Sequence, residues 1–320
     1  MDITKQAQPT MAVAIVNYNT REHLRACLAS IGPGAARAVV VVDNASTDGS
    51  AAMVREQFPW VALHANEHNP GYGAALNQAV ASCDAPYVLL LNSDTLLAPD
   101  TVARLTSYLD AHPRAAIAGP RLANPDGTLQ ASCYHFPTPL QLLLEESTIG
   151  RRARHVPLLR ERYLRTWSHR AARPVPWVLG AALAIRRAAF DAVGGFDEGY
   201  VMYFEEVDLC YRLAAAGWQV HFAPVTTVVH AGGASTAQRR AEMAERFFVS
   251  LARFYRRHYS PRRLAAARAI VTGVVAARLA RDALRLRGAR EAAHRDRIAE
   301  NIAAWRRVLR GSADWQVRHG

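Results

Sequence analysis

Cysteine is scarce in this chain. Cys27, Cys83, Cys133 and Cys210 are the only four. No two stand at metal or redox spacing, so reduced thiols in a cytosolic setting are the simple reading. Lysine is scarcer still, with Lys5 the only one, and the positive charge is carried by arginine. Nowhere do apolar residues run unbroken for the roughly 18 positions a membrane-spanning helix needs. The stretch from Met1 to Gln8 has no apolar core that could act as a secretory signal. No internal repeat and no low-complexity segment precedes the C-terminal region.

What is present is a globular composition, 50% hydrophobic and 21% charged over 320 residues. That is length enough for one large or two smaller domains. The net charge of +12 is unevenly placed. From Arg239 onward 20 arginines stand against 7 acids, which leaves 19 basic and 20 acidic residues, a net of −1, for the body. A near-neutral body with a basic tail confines the question of an anionic partner to the tail.

The body reads as α/β. Short apolar runs that stop at small polar residues mark strands buried on both faces. Met11–Val16 stops at Asn17-Tyr18-Asn19-Thr20, Val39–Val42 at Asp43-Asn44-Ala45-Ser46, and Tyr87–Leu91 at Asn92-Ser93-Asp94. Helices fall between them, the first with Leu24, Cys27, Leu28 and Ile31 on one face. Asn69-Pro70-Gly71-Tyr72-Gly73 is a tight turn before another helix. Alternating strand and helix with short links predicts a parallel sheet with helices on both faces. The polar strand ends then converge on one edge, where such sheets bind ligands.

Beyond the Asn124-Pro125-Asp126-Gly127 turn the pattern loosens, and Pro137 to Pro176 reads as an irregular helical insertion or a lid. Pro176–Ile185 reads as one strand, Arg186–Ala192 as a short helix and Glu205–Ala216 as a helix stopped by Gly217. Trp218–Ala223 and Thr226–His230 read as two strands. These readings give residues 1–238 as one domain and 239–320 as a basic helical region. In that region Phe247, Leu251 and Phe254 form an apolar stripe beside arginines, which reads as a membrane-surface helix or as a solvated or oligomerising tail.

Each candidate site residue has two readings at this point. Asp94 caps a following helix or holds a divalent metal. Glu205, Glu206 and Asp208 complement a helix dipole, or they form a buried carboxylate cluster suited to general-base chemistry. His230 is a structural histidine or a second metal ligand. Ala231–Thr236 is an ordinary link or a diphosphate-wrapping loop.

The order of these blocks resembles glycosyltransferase family 2, the inverting GT-A enzymes, and most closely its rhamnosyltransferase-like branch. The matching blocks are Val16–Asn19, Val42–Asp48, Asn69–Gly73 with Asn77, Leu91–Asp94, Gly194–Glu198, Phe204–Leu209 and His230. The resemblance implies a nucleotide-diphospho-sugar donor held by Asn17, Tyr18, Asn19, Asp43, Asn44, Ser46, Asn69, Gly71, Asn77, Asn92, Ser93 and Asp94. Asp43 would read the base. It implies Mg²⁺ or Mn²⁺ at Asp94 and His230, with Asn92 where the family motif has a first Asp. Glu206 is the implied base, with Asp208 and Glu205 as alternatives, and Trp177, Gly180 and Ala181 lie on the acceptor side. The implied reaction moves a sugar, L-rhamnose from dTDP-rhamnose or another sugar from a UDP or GDP donor, to a saccharide or polyprenyl-linked acceptor in cell-surface polysaccharide assembly. The implied place is the cytoplasm, peripheral on the inner face of the plasma membrane. Sugar-phosphate nucleotidyltransfer fits poorly, because those enzymes carry a Gly- and Arg-rich loop with a lysine where this chain has Asn17–Thr20. A nucleic-acid-binding role for the tail leaves the acidic cluster unexplained, and no nucleic-acid partner is expected.

Overall fold

The computed structural model of the chain describes residues 10–146, 164, 167–200, 202–232, 240–288 and 292–310. The chain divides into two compact units, residues 1–135, 164–199 and 205–235 against residues 136–163, 200–204 and 236–320.

The first unit is built on a sheet that begins as expected. Strands β1 (Met11–Asn17), β2 (Val39–Asp43), β3 (Ala62–Ala65) and β4 (Tyr87–Asn92) alternate with helices α1 (Arg21–Ile31), α2 (Ser50–Gln57) and α3 (Tyr72–Ala81). β1 pairs in parallel with β2 and with β4. The apolar face of α1 is the one its spacing gives, with Leu24, Cys27, Leu28 and Ile31 all buried. Registers of Asn17 with Asp43 and of Val16 with Asn92 bring three polar strand ends to one edge.

After β4 the chain departs from the simple pattern. β5 (Thr95–Leu97) follows Asp94, then α4 (Thr101–Ala111), β6 (Ala115–Ala123), β7 (Leu129–Gln130), β8 (Cys133–Tyr134) and α5 (Pro139–Glu146). β9 (Arg173–Pro174), β10 (Trp177–Val178), β11 (Ala182–Arg186), α6 (Arg187–Ala192), α7 (Glu205–Ala215) and β12 (Gln219–His230) come next. The large sheet runs β3-β2-β1-β4-β11-β6-β12-β5. It is mixed, since β11 lies antiparallel to both β4 and β6 while β12 runs parallel to β6. Strand direction follows from the connections, and an apolar run carries no mark of it.

Two strand readings are corrected. The run Pro176–Ile185 is two strands. β10 pairs with β8 in a small second sheet, and the chain turns through Leu179-Gly180-Ala181 before β11 joins β4. Conversely, the runs read as Trp218–Ala223 and Thr226–His230 form one strand, β12, which starts at Gln219 and whose pairing with β6 shifts register between Phe222 and Thr227. All four cysteines are free and buried. Burial pushes the Cys27 and Cys133 thiols up to about 12 and Cys83 to about 11, which leaves them unreactive.

The second unit is helical. Helices α8 (Arg240–His258), α9 (Pro261–Gly288) and α10 (Ala292–Arg310) pack on one another, and α5 packs on α9. Leu251 and Phe254, read from sequence as part of an apolar stripe on a membrane-surface or solvated helix, are fully buried. The apolar face of α8 is therefore used in packing. No helix among the described residues is long and apolar enough to cross a membrane.

Candidate active site

At the carboxyl edge of the sheet, the ends of β1 and β2 lock onto each other. Asn17 donates to Asp43 Oδ1 at 2.7 Å and to Ser46 Oγ at 3.1 Å. Asp43 also accepts from the Ser46 hydroxyl at 2.6 Å and from the Ser46 N–H at 3.0 Å. Asn17 and Asp43 are buried, so they shape this loop, while Tyr18 is partly exposed and Asn19 exposed. Asn19 lies in the left-handed region at φ 52° and accepts from Thr47 N–H at 2.8 Å. Ser93 joins through a 2.7 Å contact with Thr20. Buried Asn44 reaches Asn69 Oδ1 and the Gly71 carbonyl, both at 3.3 Å, and Asn69 accepts from Gly71 N–H at 2.9 Å.

Asn77, expected beside the donor, does something else. Its amide donates to Phe196 O at 3.0 Å and Glu198 at 2.9 Å and accepts from Phe196 N–H at 2.9 Å. It clamps the Gly195–Glu198 turn, with both of its amide hydrogens used.

The three acids at the start of α7 separate by environment. Asp208 has no exposed side-chain surface and accepts from Arg212 Nε at 2.6 Å. Arg212 also donates to the Val193 and Gly195 carbonyls at 2.6 and 2.7 Å, so this pair fastens the turn before the helix. Glu205 is 3% exposed and lies against Gly73 of α3. Glu206 alone is partly exposed, with Oε1 3.4 Å from Gly180 N–H. Burial raises its proton affinity above the ordinary glutamate range, against the hydrogen bonds that lower it.

A line of contacts leads from Glu206 to Asp94. Gly180 O lies 3.4 Å from the Tyr72 hydroxyl, which donates to Asn92 Oδ1 at 2.6 Å. Burial first, then the charges of Glu205, Glu206 and Asp94, hold the Tyr72 phenol well above its ordinary pKa, so it stays a donor. Asn92 Nδ2 faces His230 Nε2 at 3.3 Å, and the same Nε2 lies 3.2 Å from Asp94 Oδ1. Asp94 does not cap a helix, because β5 follows it. Its Oδ2 instead accepts from Gly232 N–H at 3.1 Å, with Gly232 at φ +71°. Burial alone would raise the Asp94 pKa, but the hydrogen bond and charge that a protonated His230 supplies bring it below the ordinary value. The remainder of the Gly-rich loop, Gly233–Thr236, lies outside the described residues.

On the other side of Gly180, Ala181 is buried and its carbonyl accepts from Asn92 N–H at 3.0 Å. Trp177 donates to His135 O at 2.8 Å and stacks on Tyr134 with ring centres 4.5 Å apart. Two contacting residues were not singled out from sequence. Tyr72 was read only as part of a turn. Gln130, which accepts from His230 Nδ1 at 2.7 Å, follows the Asn124–Gly127 turn with no motif of its own.

A family model described as Glycosyltransferase like family 2 matches residues 9–248. The chain belongs to that family. Over 241 residues this family 2 chain is 33% identical to N-acetylglucosaminyl-diphospho-decaprenol L-rhamnosyltransferase of Mycobacterium tuberculosis, an alignment covering 71% of this chain and 78% of the relative. A mannosyltransferase of Pyrobaculum calidifontis, solved with GDP-Man and Mn²⁺, superposes with TM-score 0.50 at 21% identity over 97% of this chain and 86% of that one. GalNAc-T7, solved with UDP, GalNAc and Mn²⁺, superposes with TM-score 0.52 at 16% identity over 70% of this chain and 44% of that one. The fold is GT-A, and the protein is a glycosyltransferase similar to rhamnosyltransferases.

Whether the family 2 site fits a divalent cation is tested by its donor set. Among the described residues no group of three or more His, Cys, Asp and Glu is placed to hold a metal ion. Asp94 Oδ1 and His230 Nε2 nevertheless face each other at 3.2 Å. A hard cation commonly takes one or two protein ligands and completes its shell with substrate phosphates and water. Two ligands at the edge where the donor loops end fit a cation shared with a diphosphate.

Proposed function

We propose that this family 2 glycosyltransferase is metal-dependent and inverting. In this reading it transfers L-rhamnose from dTDP-rhamnose to a saccharide carried on a polyprenyl diphosphate, in the assembly of a cell-surface glycan. The observation that carries the reading is the line of contacts from Glu206 through Gly180, Tyr72 and Asn92 to His230 and Asp94. It gives the donor and the acceptor hydroxyl one common site. The sugar and acceptor rest on the similarity to the mycobacterial enzyme.

The chemistry follows from the residues. An acceptor hydroxyl is a weak nucleophile until a base takes its proton. Glu206 is partly exposed and has raised proton affinity, so it is the base. The hydroxyl oxygen forms a bond to the anomeric carbon as the bond from that carbon to the diphosphate oxygen breaks, and the proton passes to Glu206. Attack from the face opposite the leaving group inverts the centre. Asp94 and His230 would hold Mg²⁺ or Mn²⁺, which when bound supplies Lewis-acid stabilisation of the leaving diphosphate. Tyr18, Asn19 and Asn69 form the donor wall, on a loop whose shape Asn17, Asp43, Asn44 and Ser46 fix. Trp177 offers an aromatic face to the acceptor.

The second unit supports placement at a membrane surface. Residues 246–281 contain nine arginines and no acid, and Arg256, Arg257, Arg262 and Arg263 are exposed. Anionic lipid attracts such a surface. The role is peripheral contact on the cytoplasmic leaflet, where a polyprenyl-linked acceptor would be reached.

Thermal shifts with dTDP-, UDP- and GDP-sugars, each with and without Mn²⁺, test the donor, because a ligand bound only by the folded state raises the melting temperature. Transfer to a polyprenyl-diphosphate-linked N-acetylglucosamine, with the product linkage read by NMR, tests the rest. The expected result is a dTDP-specific, Mn²⁺-dependent shift and an inverted product. Transfer that persists undiminished in EDTA, or a product of retained configuration, overturns the reading.

A further inference from the structure

The Asn124–Gly127 turn has no part in the reading above, yet the strand after it ends on His230. The turn closes by Gly127 N–H to Asn124 O at 2.9 Å and carries β7 back along β6, with Gln130 opposite Leu122. From there the Gln130 side chain reaches past β6 to the end of β12. Its Nε2 donates to Asn124 Oδ1 at 3.0 Å and to the His230 carbonyl at 3.3 Å. Both acceptors are oxygens without hydrogens, so the amide cannot turn over without losing both bonds. That leaves Oε1, an acceptor only, 2.7 Å from His230 Nδ1. The ring must therefore carry its hydrogen on Nδ1.

The other side of the ring meets one donor and one acceptor, Asn92 Nδ2 at 3.3 Å and Asp94 Oδ1 at 3.2 Å. The protonated Tyr72 hydroxyl donates to Asn92 Oδ1, which turns Asn92 Nδ2, a donor, toward His230 Nε2. A neutral ring meets that donor only with a lone pair on Nε2. Asp94 Oδ1 opposes that donor, so it is the Gln130 acceptor at Nδ1 that decides where a neutral ring keeps its hydrogen.

We propose that Gln130 is a positioning residue for the transfer reaction. It fixes His230 with hydrogen on Nδ1, and so keeps the Nε2 lone pair aimed at the point that Asp94 Oδ1 also faces. The assignment rests on the reading of Asp94 and His230 as the cation-holding end of the site. Without Gln130 the neutral ring is free to move its hydrogen to Nε2 and donate it to Asp94. The two cation ligands would then satisfy each other and close the position between them. Gln130 prevents that pairing. A hydrogen-bonded partner on the distal nitrogen of a ligating histidine commonly affects metal affinity by about 10–100-fold when removed.

The test uses the full chain labelled with ¹⁵N-histidine. Long-range ¹H–¹⁵N spectra above the imidazole titration range, with the His230 signal assigned by its loss in His230→Ala, report which nitrogen bears hydrogen. Electron paramagnetic resonance titration of Mn²⁺ with dTDP, UDP or GDP in separate arms reports cation affinity. Wild type is expected to show hydrogen on Nδ1. Gln130→Leu is expected to shift it to Nε2 and weaken Mn²⁺ binding by about 10–100-fold in the arm that binds best. Gln130→Glu keeps an acceptor opposite Nδ1 and is expected to restore the tautomer and most of the affinity, which a packing role for Gln130 would not produce. Circular dichroism confirms that each variant is folded. Hydrogen on Nε2 in wild type overturns the proposal, as does a folded Gln130→Leu with unchanged tautomer and Mn²⁺ affinity. If His230→Ala itself binds Mn²⁺ as wild type does, the reading of the cation end fails as well. If His230→Ala loses Mn²⁺ and Gln130→Leu does not, only the Gln130 assignment fails.

Discussion

Replacing Glu206 with glutamine separates chemistry from binding. The amide keeps the shape and can still accept from Gly180 N–H, 3.4 Å from Oε1 in the wild type, but it cannot take a proton from the acceptor. Loss of a general base commonly costs about 10²–10⁴ in rate, which is about 2.7–5.4 kcal/mol at about 1.36 kcal/mol per decade. The fall should appear in kcat, with the nucleotide-sugar thermal shift unchanged, because the proposed donor end is at Asp94 and His230. Stability should move the opposite way. Burial raises the folded-state pKa of Glu206 above its ordinary 4.5. The folded protein therefore holds that proton more tightly than the unfolded chain, and ionising the group weakens the fold. The cost is absent below 4.5 and complete above the folded-state pKa. Glu206→Gln should melt above wild type at neutral pH, with the gap closing as pH falls toward 4.5. The acid limb of the wild-type pH–rate profile should vanish with the carboxylate. Initial-rate assays across pH and paired melting curves measure both effects. A variant within about tenfold of wild-type kcat, with its acid limb intact, would refute the assignment and pass the role to Glu205 or Asp208.

Asp94→Asn should abolish the Mn²⁺-dependent part of the donor thermal shift. Arg212→Met removes the ion pair to the fully buried Asp208 and should lower stability by about 3–5 kcal/mol, seen in urea unfolding, while kcat of the folded fraction holds. Trp177→Ala should raise acceptor KM by about two- to twelvefold, the worth of an aromatic face of about 0.5–1.5 kcal/mol, and leave the donor thermal shift in place.

The first half of the sheet was legible because each of its signals is local. β1, β2 and β4 are apolar runs buried along nearly their whole length, and the buried face of α1 is the set of residues its spacing names. What was not legible is non-local. Gly180 breaks one apolar run into two strands because its neighbours answer to different partners, Ser132 on one side and Asn92 on the other. The antiparallel seat of β11 between β4 and β6 likewise depends on where the chain re-enters the sheet. Phe254 and Leu251 show the same limit in the helices, since an amphipathic stripe states that a face is covered without saying by what.

The site divides along a similar line. The strand ends predict Asn19, Asp43 and Asp94 at one edge, because polar residues that stop buried strands of one parallel sheet have nowhere else to collect; the residue the register sets opposite Asp43 is Asn17. Spacing could not rank Glu205, Glu206 and Asp208, since all three satisfy the same helix-start preference. Burial and partners rank them: Asp208 is held by Arg212, Glu205 is enclosed against α3, and Glu206 alone meets solvent. The Asn at position 92, read as a weakened metal motif, takes another meaning once its neighbours are known. A carboxylate there would add a second acceptor, beside Asp94, against His230 Nε2 and favour hydrogen on that nitrogen more strongly, opposing Gln130 at the other side of the ring. An amide supplies the donor that Gln130 requires. Asn92 and Gln130 are thus two halves of one constraint, joined by a histidine 138 positions from the first and 100 from the second. No reading of either segment alone would have paired them.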